Sequence, residues 1–89
     1  MNSKLICAIL VTATAYSTSG ITATGTRTRP GIIAVSRDMQ HLVGRNVTVQ
    51  GKQYRVADIM HKRFRKRIDI YMPRMADARK FGKQKVAIS

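Results

Sequence analysis

The sequence predicts an all-β fold, a small closed or nearly closed barrel of six short strands with one or two short helices. Six segments of four to seven residues are apolar or alternate with period two, and turns rich in Gly, Pro and Thr separate several of them. The chain of 89 residues has room for one domain, which we assign to residues 1–89. Closing the sheet into a barrel removes the exposed strand edges that so small a chain must otherwise protect.

The first strand is predicted over residues 11–17, where apolar and polar side chains alternate. This alternation places Thr12, Thr14 and Tyr16 on one face of the strand. The same region also has the outline of a short signal peptide, because a lysine and an apolar run precede the Ala-Thr-Ala sequence at 13–15. We favour the strand interpretation.

A long polar loop separates the first strand from the second. Residues 18–31 are rich in Thr and Gly and end in an Arg-Pro-Gly turn, after which the apolar residues 32–35 form a strand. Ser36 is predicted to cap a short helical turn that ends at Gly44.

A hairpin and a terminal helix–strand pair complete the barrel on either side of the fifth strand. Residues 46–49 and 53–59 flank a Gln-Gly-Lys turn, which is a hairpin signal. Residues 74–81 have apolar side chains at helical spacing, Gly82 closes this helix, and residues 85–88 form the last strand.

The fifth strand, residues 67–72, carries an acidic side chain between apolar neighbours. Ile68 and Ile70 are expected to face the core, so that Asp69 and Tyr71 face the opposite way. Asp69 is therefore predicted to lie on an accessible surface of the sheet.

The charge of the chain predicts a polyanionic partner. Lys and Arg number 17 against four acidic residues, which gives a formal net charge of +13. Nucleic acid, anionic lipid and the acidic polymers of the bacterial wall all meet this description. The basic run at 61–67 holds the candidate polyanion-binding residues Lys62, Arg63, Arg65, Lys66 and Arg67. Phe64 within it either stacks on a ligand ring or packs on the barrel, and we expect the second.

Several classes of site are excluded or unexpected. The single Cys7 excludes an internal disulfide bond. His41 and His61 lack further ligands at metal spacing, so we expect neither a metal nor a cofactor. No segment reaches the ~20 apolar residues that span a bilayer as a helix. Any chemistry that needs a side-chain carboxylate depends on Asp38, Asp58, Asp69 or Asp77.

The order of several short motifs resembles the three-aspartate (3D) domain over residues 11–88. The motifs are T-A-T-A-Y-S, A-T-G-T-R-T-R-P-G, I-A-V, V-A-D, R-I-D-I-Y-M-P and A-R-K-F-G-K-Q-K-V. This family includes the C-terminal part of membrane-bound lytic transglycosylase A and the stationary-phase survival proteins of sporulating bacteria. The resemblance implies a six-stranded double-psi β-barrel that cleaves the glycan strand of peptidoglycan.

The resemblance assigns roles to two aspartates. Asp58 and Asp69 are eleven residues apart, each in a strand of the expected type, and Asp69 matches the catalytic aspartate of the family. The sequence departs from the family at Ser36, which stands where the first aspartate usually lies, while Asp38 follows two residues later. The basic residues 59–66 replace a glycine-rich segment that normally contributes to the substrate groove.

One carboxyl group suffices for a lytic transglycosylase, because the nucleophile is the 6-hydroxyl of the sugar itself. Asp69 would first protonate the bridging oxygen and then, as a carboxylate, take the proton of that hydroxyl, which yields a 1,6-anhydro sugar without consuming water. Asp58 is expected to raise the pKa of Asp69 as a like charge or to orient it through a hydrogen bond. The candidate substrate-binding residues are Thr12, Thr14, Tyr16, Thr24, Gly25, Thr26 and Tyr71.

The leading interpretation is thus a monomeric lytic transglycosylase that cleaves the MurNAc–GlcNAc bond. A small phage endolysin is one kind of protein that would fit this description. We expect it to be made in the cytoplasm without a signal peptide and to act in the bacterial envelope, on glycan strands and among anionic envelope polymers, with no specific nucleic acid as partner. Two alternatives stay open: a basic nucleic-acid-binding module, and a catalytically inactive wall-binding domain.

Overall fold

A computed structural model describes residues 8–89, which form a closed barrel of six strands. The strands are β1 (Ile9–Tyr16), β2 (Ile32–Val35), β3 (Asn46–Val49), β4 (Lys52–Ile59), β5 (Arg67–Tyr71) and β6 (Gln84–Ile88). A 3₁₀ helix, Arg37–Leu42, follows β2, and α1, Met75–Phe81, precedes β6. The predicted all-β barrel with two short helices is confirmed. Cys7 and the beginning of the stretch weighed as a signal peptide lie outside the described residues.

The strand order around the barrel brings together segments that are distant in the chain. The order is β1-β5-β2-β4-β3-β6, in which β1 and β5 are parallel, β2 and β4 are parallel, and the other neighbours are antiparallel. Because β2 lies between β4 and β5, residues from three separate segments meet side by side on the barrel wall.

The interior of the barrel is filled by the apolar side chains that alternate along the strands. Val11, Ile33, Val35, Val56 and Ile68 are each at most 1% exposed and belong to this core. A second, smaller apolar cluster lies on another face of the sheet and contains Ile32, Ala57 and Tyr71, with Tyr16 packed against it. The alternation predicted for β5 is confirmed, since Ile68 and Ile70 are core residues and Asp69 is not.

A β-bulge in β4 determines where Asp58 lies. Ile33 pairs with Val56, but the next residue of β2, Ala34, pairs with Asp58, so that Ala57 is an extra residue in β4. Strict alternation from the buried Val56 would turn Asp58 towards the core. The extra residue restores Asp58 to the face that it shares with Ala34.

The segment after β2 differs from its prediction. Helical residues are present, but the Ser36 hydroxyl makes no capping hydrogen bond, and Met39 interrupts the helix with φ −118° and ψ 20°. Ser36 is fully buried, and its hydroxyl accepts a hydrogen bond from the Arg67 amide at 3.0 Å. Ser36 therefore joins β2 to the start of β5 instead of capping a helix. Neither this helix nor any other in the described part of the chain has the length and apolar character to span a membrane.

The buried interior predicts which substitutions unfold the protein. Ile68→Ala removes a side chain with 0% exposure from the centre of the barrel and should lower the free energy of unfolding by about 2–5 kcal/mol. Ile21→Ala makes the same change at a position that is 65% exposed and should cost less than about 0.5 kcal/mol. Urea unfolding followed by circular dichroism measures both. Similar losses in the two variants would contradict the assigned core.

Candidate active site

Asp58 and Asp69 lie in one transverse row across four strands. Ala34 in β2 pairs with Asp58 on one side and with Asp69 on the other, and Asp69 in turn pairs with Thr14 in β1. Two inter-strand spacings separate the two aspartates, which places their Cα atoms roughly 10 Å apart. Between them lies Ala34, whose side chain is a single methyl group and is buried.

Asp69 occupies a half-buried position with a single directed hydrogen bond. The Thr14 hydroxyl donates to Oδ1 of Asp69 at 3.0 Å. Burial raises the pKa of the Asp69 carboxyl above its ordinary value of 3.8, although the Thr14 hydrogen bond and the charge of Arg67 both act to lower this pKa. The carboxyl group thus retains its proton to a higher pH than an exposed aspartic acid, which is the property that a general acid needs.

Asp58 is held by backbone amides and not by Asp69. Its Oδ1 accepts hydrogen bonds from the amides of Ala23 at 3.0 Å and Ile59 at 2.9 Å. Thr14, and not Asp58, therefore orients Asp69 through a hydrogen bond. The pKa of Asp69 is raised by burial and not by the like charge that we expected from Asp58. The Ala23 contact fastens residues 18–31, the Thr-rich loop, to β4 beside the row.

Tyr16 lies close to both carboxyl groups. Burial and the neighbouring charges of Asp58 and Asp69 raise the pKa of the Tyr16 hydroxyl from 10.0 to about 12. The ring packs edge-on against Tyr71, with 5.4 Å between the centroids. The hydroxyl oxygen is buried and has no hydrogen-bond partner among residues 8–89. A buried hydroxyl without a partner is rare in native proteins.

The Thr-rich loop places several hydroxyl groups next to Asp58. The Thr24 amide donates to the Ala57 carbonyl at 3.2 Å, and the Thr24 hydroxyl lies 3.1 Å from that of Thr22 and 3.0 Å from that of Thr26. The turn has Gly25 at φ +83°, a conformation that glycine adopts without strain. Thr24 and Thr26 line a cleft of about 300 Å³ whose other walls include Arg29 and Arg55.

The remaining predicted substrate-binding residues lie at the margins of the row. Thr12 pairs with Arg67, two residues along β1 from Thr14. Tyr71 is buried beneath Tyr16 and lines a separate cleft of about 420 Å³. Neither Asp58 nor Asp69 belongs to the lining of either cleft.

The basic run forms an exposed loop that is tied to the barrel. Lys62, Arg63, Arg65 and Lys66 are exposed, and Arg67 is half-buried. Phe64 is half-buried, with the guanidinium groups of Arg63 and Arg67 at 4.8 Å and 4.5 Å from its ring centroid. The aromatic ring that we expected on the barrel is therefore in contact with two cations of its own loop.

Asp38 does not join Asp58 and Asp69 in the row. Its Oδ2 accepts a hydrogen bond from the Lys66 amide at 3.0 Å, at the end of the basic loop. Hydrogen bonds from Ser36 and Lys66 hold the pKa of Asp38 below 3.8. Ser36 and Asp38 thus position the loop and the start of β5, and the row contains two aspartates.

Sequence reasoning missed Ala34, the Ala23 amide and the two arginines of the smaller cleft. None carries a local signal, because each acquires its neighbours through strand pairing or loop packing. Among residues 8–89 there is no group of three or more His, Cys, Asp or Glu side chains that could hold a metal ion.

No protein-family model, curated protein or solved structure matches this chain. Membership of the three-aspartate family stays a prediction that depends on the motifs of the sequence.

Burial of Asp69 predicts a specific dependence of stability on pH. Because its pKa is raised on folding, the wild-type protein loses stability as the pH rises from 3.8 through the folded-state pKa. Asp69→Asn carries no such cost and can keep the Thr14 hydrogen bond through its carbonyl oxygen. Its free energy of unfolding should equal that of the wild type at low pH and exceed it at neutral pH.

Urea unfolding between about pH 3 and pH 8 tests this expectation. Asp77→Asn, at an exposed carboxyl group on α1, is the matched control and should show no such gain. If the free energy of unfolding depends on pH in the same way in the wild type and in Asp69→Asn, the pKa of Asp69 is not raised on folding.

Proposed function

We propose that the protein is a peptidoglycan lytic transglycosylase, with Asp69 as its general acid and base. The single observation that carries the proposal is the transverse row in which Asp58 and Asp69 flank Ala34, with burial raising the pKa of the Asp69 carboxyl. The motif resemblance supports the proposal independently of this geometry.

In the proposed reaction, the protonated Asp69 donates its proton to the glycosidic oxygen between MurNAc and GlcNAc. The bond from C1 to that oxygen breaks, and positive charge develops on C1 and the ring oxygen. The 6-hydroxyl of the same sugar attacks C1 while the Asp69 carboxylate takes its proton. Asp69 is thus restored, and the products are a 1,6-anhydro sugar and a chain with a free hydroxyl.

The surrounding residues have separate tasks in this proposal. Asp58, held by two amides, provides negative charge across the row that favours the cationic transition state. Thr14 fixes the direction of the Asp69 carboxyl through its hydrogen bond.

Digestion of purified sacculi tests the proposal. The wild type should release muropeptides with 1,6-anhydro ends, identified by mass spectrometry, and Asp69→Asn should reduce the rate by about 10²–10⁴-fold because the proton donor is lost. The variant keeps the shape and the Thr14 hydrogen bond, so its folding can be verified separately. Products with ordinary reducing ends would indicate hydrolysis instead. Binding to sacculi with no release of muropeptides would favour the inactive wall-binding alternative.

The exposed basic loop supports a second candidate function, binding to nucleic acid. Four cations of the loop face solvent, and the Asp38 carboxylate at the end of the loop accepts a hydrogen bond from the Lys66 amide. The ring of Phe64 is in contact with two guanidinium groups, which favours attraction to a charged backbone over stacking on a base.

Neutralising the loop separates the two candidate functions. In the triple variant Lys62→Gln, Arg63→Gln and Arg65→Gln, attachment to sacculi should weaken at ~0.1 M salt and match the wild type at ~1 M salt, where charges are screened. Cleavage of a short uncharged glycan should be unchanged, since the loop lies outside the row. If the variant loses affinity for DNA but not for sacculi, the loop serves nucleic acid.

A further inference from the structure

The smaller cleft beside Asp58 contains two arginines to which the proposed reaction assigns no role. Its lining comprises Thr24, Thr26, Arg29, Ile32, Gly44, Arg55, Val56 and Ala57. No acidic residue lies in this lining, and each of Asp38, Asp58 and Asp69 is hydrogen-bonded elsewhere. The lining of the cleft thus includes two arginines and no acidic residue.

Strand pairing brings the two arginines together and fixes one of them. The Arg55 amide donates to the Gly31 carbonyl at 2.8 Å, which places β4 against the chain that leaves Arg29. Nη1 of Arg55 donates to the Gly44 carbonyl at 2.6 Å. This bond uses one edge of the guanidinium and leaves its other N–H groups for a ligand, while the side chain is already oriented.

The other walls of the cleft restrict what fits there. Thr24 and Thr26 present hydroxyl groups, whereas Ile32 and Ala57 form an apolar wall and are almost fully buried. The volume of about 300 Å³ suits a small substituent better than a polymer chain. Planar guanidinium groups next to an apolar wall match a carboxylate that carries a neighbouring methyl group.

The cleft borders the carboxyl row directly. Thr24 follows Ala23, whose amide holds Asp58, and Ala57 precedes Asp58 in β4. A sugar bound at Asp58 would therefore have this cleft next to it. We propose that this cleft, defined by Arg29 and Arg55, is a subsite for a free lactyl carboxylate on the glycan substrate, that is, one without a peptide attached, an assignment that rests on the proposed function.

Matched ligands test the subsite without any cleavage. The probe is the GlcNAc–MurNAc disaccharide with a free lactyl carboxylate, compared with its N-methylamide, and binding is measured by calorimetry to Asp69→Asn. The acid should bind more tightly than the amide. Adding Arg29→Gln and Arg55→Gln should weaken binding of the acid by about tenfold to a hundredfold and that of the amide by less than about threefold.

Two controls keep the result specific. Arg74→Gln with Arg79→Gln removes the same charge beside and on α1, away from the cleft lining, and should leave the preference for the acid unchanged. Because Arg55 also holds Gly44, the single variant Arg29→Gln is measured alongside, and thermal unfolding verifies that each variant is folded.

Three outcomes would overturn the subsite. These are equal losses for acid and amide, an equal effect of the α1 variants, or tighter binding of inorganic phosphate than of the acid disaccharide. The two proposals fail separately. If the acid is not preferred but the wild type still releases anhydro-muropeptides, only the subsite is wrong. If the acid is preferred but no cleavage occurs, the subsite is correct and the protein binds the glycan without cleaving it.

Discussion

The pairing of β2 with two distant strands is the constraint on which the candidate site depends. β2 is only four residues long, yet it is parallel to β4 on one side and antiparallel to β5 on the other. This double pairing sets Asp58 and Asp69 at the same level of the barrel with Ala34 between them. The closed sheet holds that spacing firmly, since neither strand can shift without disrupting the hydrogen bonds and the core beneath it.

A protein of net charge +13 is an unfavourable setting for the raised carboxyl pKa that the proposed general acid needs. Nearby cations stabilise the carboxylate, as the charge of Arg67 does for Asp69. Burial outweighs that influence here, and the raised pKa follows from the position of Asp69 within the wall and not from the overall charge. The cost is stability at neutral pH, which is the compromise commonly found where a buried group serves a reaction.

Ser36 and Asp38 hold the basic loop against the barrel and add no third carboxyl group to the row. Ser36 is buried and bonded to the Arg67 amide, and Asp38 is bonded to the Lys66 amide. Both contacts fasten the end of the basic loop to the segment that follows β2. The end of the loop that carries the exposed cations is thus anchored to the barrel. The same hydrogen bonds hold the start of β5, which contains Asp69.

The local pattern of the sequence was enough to determine the strands, the helices and the inward face of β5, because period-two alternation and turn residues act over a few neighbours. The resemblance of its motifs to the three-aspartate domain, and not this alternation, singled out Asp58 and Asp69 as the acids of interest. Only the tertiary structure decided that the bulge at Ala57 turns Asp58 outward, that Thr14 rather than Asp58 orients Asp69, and that Arg29 and Arg55 share a cleft. These relations depend on pairing between strands that are far apart in the chain, and local periodicity contains no information about which strands become neighbours.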